Sequence, residues 1–83
     1  MLTFEYGPNG VVEIAVDQDG IDDLIRVLRR LPPGDHEHLM TPSWGGYPLT
    51  EEFPNPDLTP IHQVNISHVA SGGFPHSGDI SGR

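Results

Sequence analysis

Four of the five histidines fall in two short stretches, "DHEH" at 35–38 and "IHQVNISH" at 61–68. Imidazoles grouped this way suggest a metal. Residues two apart on a strand point to the same side, so His36 and His38 can reach a common ion. His62 or His68 on a neighbouring strand would complete a zinc site, with nitrogen–zinc distances near 2.0–2.1 Å. The spacing is weak support, because "HEH" lacks the helical His-x-x-x-His geometry of a metalloprotease. Half-buried strand histidines bonded to neighbours or to solvent explain the same residues. The expectation is therefore no metal and no cofactor, with His36, His38, His62 and His68 as the alternative.

Other chemistry has less to work with. There is no cysteine, which removes thiolate nucleophiles, thiolate zinc sites and disulfides. Ser43, Ser67, Ser71, Ser77 and Ser81 are present, but none lies in a Gly-x-Ser-x-Gly elbow. Glu51 and Glu52 are adjacent and diverge on an extended chain, a poor acid/base pair. The glycines at 45 and 46 follow a tryptophan in a loop and open no phosphate-cradling helix. The chain reads as non-catalytic.

Binding has better material. Trp44 stands beside Gly45-Gly46 on a long loop, with Tyr47 adjacent, and these two residue types are enriched among those that carry interface energy. Glu51, Glu52 and Asp57 on the same loop supply an acidic rim that would steer a basic partner. Asp22 and Asp23, at the start of a helix, are second candidates. The competing reading makes Trp44 a core plug, since so small a domain needs every large side chain. The sequence leaves both open.

The totals agree with a binding role. The chain has 83 residues, twelve acids against four basic residues and a formal charge of −8. Such a chain repels phosphate backbones, which argues against nucleic acid as a partner. It attracts positively charged proteins, although acidity also serves simple solubility. No stretch approaches the roughly 20 apolar residues of a membrane span, and "MLTFEYGPNG" lacks the pattern of a signal peptide. A soluble, cytoplasmic protein is expected. The oligomeric state is open.

Elements must hold these residues in place. "MLTFEY" and "VVEIAVD" alternate around "GPNG", where Asn9-Gly10 can adopt the positive backbone angles of a tight turn, so residues 1–17 read as a β-hairpin with one apolar face. Ile21, Leu24, Ile25, Leu28 and Leu31 fall at helical offsets and predict a helix over 21–31, with Asp19 as N-cap and Pro32-Pro33-Gly34 as the stop. "DHEHLMT" predicts a short strand and "IHQVNISHV" a longer one over 61–69. Between them, Pro42 to Pro60 forms a loop too long and too apolar to be a solvated linker, so it should fold back, with a short extra strand in "YPLTEE". The predicted fold is α+β, a small two-layer domain over residues 1–70. Its antiparallel sheet has about four strands in the order β-β-α-β-loop-β, with one helix packed on one face. Residues 71–83 read as a flexible C-terminal tail.

The segment "LPPGDHEHLMTPSWGGYPLTEE", followed about ten residues on by "IHQVNISHV", closely resembles the immunity protein 32 family of bacterial toxin systems. The matching positions are Leu31, Gly34, Asp35, His36, His38, Leu39, Met40, Thr41, Pro42, Trp44, Gly45, Gly46, Leu49, Glu51, Glu52 and His62. The resemblance spans roughly residues 21–69 and stops at the glycine-rich segment after Ala70. It implies a small cytoplasmic protein, encoded beside a toxin, that neutralises that toxin by direct binding. A nuclease toxin would suit the acidic surface, because its substrate groove must attract phosphate. The rivals are a small metal-binding protein built on the histidines and a structural module of a larger assembly that pairs through an exposed strand edge.

Overall fold

The computed structural model describes residues 1–70, so the expected tail over 71–83 lies outside the described residues. Strands β1 (Leu2–Tyr6) and β2 (Val12–Val16) pair antiparallel, with Leu2 opposite Val16 and Phe4 opposite Ile14. Asn9 and Gly10 take φ of 63° and 75° at the turn, as the Asn-Gly pair predicts. Helix α1 runs Gln18–Arg29 and begins earlier than its apolar spacing suggests. Its N-cap is Asp17 and not Asp19: the Asp17 carboxylate accepts from Gly20 N–H at 2.9 Å and from the Met1 amine at 2.6 Å. Asp19 sits inside the first turn, near the positive end of the dipole.

The remaining strands are β3 (His36–Met40), β4 (Thr59–Ile61) and β5 (Gln63–Ser67). They form a three-stranded antiparallel sheet ordered β2-β1-β4 and a two-stranded antiparallel sheet ordered β3-β5. Over the described residues the fold is a small α+β domain of one α-helix and two sheets. Where one closing strand was expected, His62 interrupts the chain, and the segments on either side belong to different sheets. Ile61 and Val64 both pack on the core although they are three residues apart, so the alternation of a single strand is broken between them.

Leu2, Phe4, Val27, Leu39 and Leu49 make the core, with Leu24, Ile61, Val64 and Ile66 packed against it. The long loop does fold back. Leu49 is in that core, and Thr50 N–H donates to the Leu2 carbonyl at 2.8 Å. Asn55 N–H donates to Glu5 Oε2 at 3.3 Å, which places the loop against the opposite side of β1. The extra strand reduces to one parallel bridge between Met40 and Pro48.

Two expectations about the apolar stripes need correction. Gly20, Leu24, Val27 and Leu31 turn inward or are half-buried, but Ile21, Ile25 and Leu28 are exposed. In the hairpin, Leu2 and Phe4 are buried, whereas Val12, Ile14 and Val16 on the same face are exposed. One twelve-residue helix cannot cover a whole sheet face, and the long loop supplies Leu49 where more helix would otherwise be needed.

Candidate functional site

The chain leaves β3 at Thr41 and makes one turn of 3-10 helix over Pro42–Trp44. Gly45 follows at φ 82°, a backbone conformation that strains any residue with a Cβ. A Cβ on Gly46 would lie 2.6 Å from Met40 Cβ, so the glycine pair lets the turn press onto β3. Glu51 reaches back over this turn. Ser43 Oγ donates to Glu51 Oε2 at 2.5 Å, and Ser43 N–H donates to Oε1 at 3.2 Å. Thr41 Oγ1 is hydrogen-bonded to His62 Nδ1 at 2.8 Å, and Thr41 N–H donates to the His62 carbonyl at 3.0 Å.

Trp44 lies flat on the His62 ring, with centroids 5.5 Å apart and planes 6° from parallel. Phe53 meets the same imidazole edge-on at 5.5 Å. Trp44 is therefore not a core plug: it is 57 % exposed, with His62 beneath it. Tyr47 is 70 % exposed. An indole held on one face and open on the other has little rotamer freedom left to lose if a partner covers it.

The predicted partner residues separate into groups. Trp44 and Glu51 are joined through Ser43 and His62, so the acid holds the turn as well as contributing charge. Glu52 belongs elsewhere. The neighbouring Thr50 hydroxyl, first among several causes, holds its carboxyl below the ordinary range, and the Met1 amine adds to this. Asp57 is exposed, and its N–H donates to Asn55 Oδ1 at 3.0 Å. On the helix, Asp22 accepts from Gln18 at 2.9 Å and Asp23 pairs with Arg26 at 2.6 Å.

The four histidines proposed as an alternative metal site are not brought together. His36 and His38 lie side by side, 5.0 Å between centroids, across from Ser67 and Asn65. His62 and His68 lie at opposite ends of β5, about 20 Å apart at the rise of an extended strand. His62 is held by Thr41, and His68 Nδ1–H donates to the Leu31 carbonyl at 2.8 Å. Among the described residues, no group of three or more histidines and acids has metal-binding geometry. Nor does the cluster resemble a nucleophile with its base. Ser43 bonds a carboxylate, and the hydroxyl that meets the imidazole belongs to Thr41, which is fully buried.

Sequence reasoning missed Thr41, Ser43 and Phe53 as parts of this site, and it reads His62 as a half-buried strand histidine bonded to neighbours, or alternatively as a metal ligand, without placing it beneath Trp44. A signal was present: Thr41, Pro42, Trp44, Gly45, Gly46 and Glu51 fall in one short stretch, and in space they form or border one cluster with His62. No family model, curated protein or solved structure matches the chain. Among the described residues, no helix is long and apolar enough to cross a membrane.

Proposed function

We propose that this protein is a non-catalytic immunity protein that binds and neutralises a cognate bacterial toxin in the cytoplasm, the toxin being basic and best matched by a nuclease. The observation that carries this reading is Trp44, open to solvent on a turn clamped by Glu51 and stacked on His62. A large aromatic exposed and ordered in this way costs hydration without helping the core, and residues of this kind supply much of the energy at protein interfaces. The resemblance over residues 21–69 supplies the class of partner. The charge of −8 supplies its sign.

Co-expression with the product of the adjacent reading frame tests the proposal, with growth rescue and co-purification as readouts. Trp44→Ala should weaken the complex by roughly 30-fold, the size of a strong interface residue, while the far-ultraviolet dichroism stays that of the parent. Association should slow as salt shortens the screening length below about 10 Å. Full rescue by a Trp44→Ala protein that binds with parental affinity would reject Trp44 as the anchor. Failure of the parent protein to rescue or co-purify would reject the immunity reading.

A further inference from the structure

We infer that the edge of β2, unpaired among the described residues, is a self-association surface through which two copies of this chain pair antiparallel about a two-fold axis at Ile14. This does not depend on the proposed function. At one end of the hairpin, Gly7 N–H donates to the Val11 carbonyl, and at the other, Asp17 N–H donates to the Met1 carbonyl. Hydrogen-bonded pairs alternate along an antiparallel ladder. Residues 11, 13, 15 and 17 therefore face β1, and the backbone N–H and C=O of Val12, Ile14 and Val16 point out from the sheet. Among the described residues β2 is an edge strand, and the side chains of those three residues are exposed, Ile14 at 54 %.

Edge strands are ordinarily protected by lysine, proline or a bulge. β2 has none of these, and its single charge is Glu13. The charge pattern also selects the occupant. Pairing centred on Ile14 sets Val12 against Val16 of the other copy, Ile14 against Ile14, and Glu13 against Ala15. Slipping by two residues in one direction sets Glu13 against Glu13, and in the other sets Glu13 against Asp17. Both slipped registers place like charges directly opposite, which is destabilising. Odd slips would set apolar side chains against the polar face. Slips of four leave a single apolar pair, Val12 or Val16 against itself, so the register centred on Ile14 is the best filled. In it every outward N–H meets a carbonyl, and three apolar cross-strand pairs form on the face that already holds Leu2 and Phe4. The surface sits on the far side of β1 from β4, so pairing leaves the turn at Trp44 unused.

Sedimentation equilibrium of the full chain, with amide exchange at Val12, Ile14 and Val16, tests the inference. The expected result is a dimer that tightens as salt screens the net negative charge, with those three amides protected only at high concentration. Ile14→Pro removes an N–H with no partner among the described residues of the single copy and should weaken pairing by roughly tenfold or more. Ala15→Glu, which sets a second carboxylate against Glu13 of the other copy, should also weaken it, and adding Glu13→Arg should restore it. A wild-type chain monomeric up to millimolar concentration and about 0.5 M salt would overturn the inference. So would a dimer indifferent to Ala15→Glu, whether or not the proline variant folds.

Discussion

Two threonines show how a single hydroxyl changes meaning with its surroundings. Thr3 and Thr41 are both buried. Thr41 Oγ1 bonds His62 and lies 3.4 Å from Ser43 Oγ, whereas Thr3 Oγ1 has no hydrogen-bond partner among the described residues. Burying an unpaired hydroxyl costs free energy, and replacing it by a methyl group of the same shape relieves that cost. Thr3→Val should therefore raise stability by on the order of 1 kcal/mol. Thr41→Val should lower it by about 1–3 kcal/mol, because the imidazole nitrogen is left without its partner. Urea denaturation at constant pH measures both. Equal and same-signed shifts in the two variants would contradict the environments described.

Among the elements, the contact between α1 and β1 depends on Gly20. A Cβ there would sit 1.7 Å from the Met1 carbonyl oxygen and 3.3 Å from Leu2 Cβ. Alanine in an open helix is favoured over glycine by about 1 kcal/mol. Here the sign reverses, because backbone must move to admit the methyl group. Gly20→Ala should cost about 1–3 kcal/mol, the usual range for overpacking, and appear as a lower denaturation midpoint. A more stable Gly20→Ala protein would mean that the helix does not lie against Met1. The three exposed apolar residues of the same helix, Ile21, Ile25 and Leu28, show that helical periodicity predicts an apolar stripe without saying how much of it the sheet covers. His62 teaches the same lesson for strands. Its flanks read as one continuous pattern, yet they serve two sheets.

At the scale of the whole molecule, the N-terminal amine, Asp17 and Glu52 couple stability to pH. The hydrogen bond from the amine, first among several causes, lowers the Asp17 pKa from its ordinary 3.8. The hydrogen bond to Asp17 raises the amine above its ordinary 8.0. The carboxylate contribution is present above pH 3.8 and is lost as pH falls through the lowered value. The amine contribution is complete below pH 8.0 and is lost as pH rises through the raised value. The pair therefore stabilises most between those limits. Glu52, lowered chiefly by Thr50, adds to the acid arm. Melting temperature against pH should show a plateau with two falling arms. Asp17→Asn, which keeps a capping oxygen, should flatten both arms. An unchanged profile in that variant would exclude the ion pair as their source.

The sequence alone determined the hairpin with its Asn-Gly turn, the single helix, the strand at His36 and the non-local return of the long loop. The hairpin, helix and strand depend on neighbours in the chain: alternation of period two, apolar spacing near 3.6, and a turn that needs positive φ; the loop's return follows from its length and apolar content. It also determined the acidity, which is a sum over residues and needs no fold. The tertiary structure decided which half of each apolar stripe is buried, that Trp44 rests outside on His62, that His62 and His68 are held at opposite ends of β5, and that the last strand is shared between two sheets. Those outcomes come from competition for a small core, in which Leu49 from the loop takes a place that helix or hairpin residues would otherwise fill. Local pattern specifies what each segment can become; only the packing of all segments together settles which surfaces remain in water.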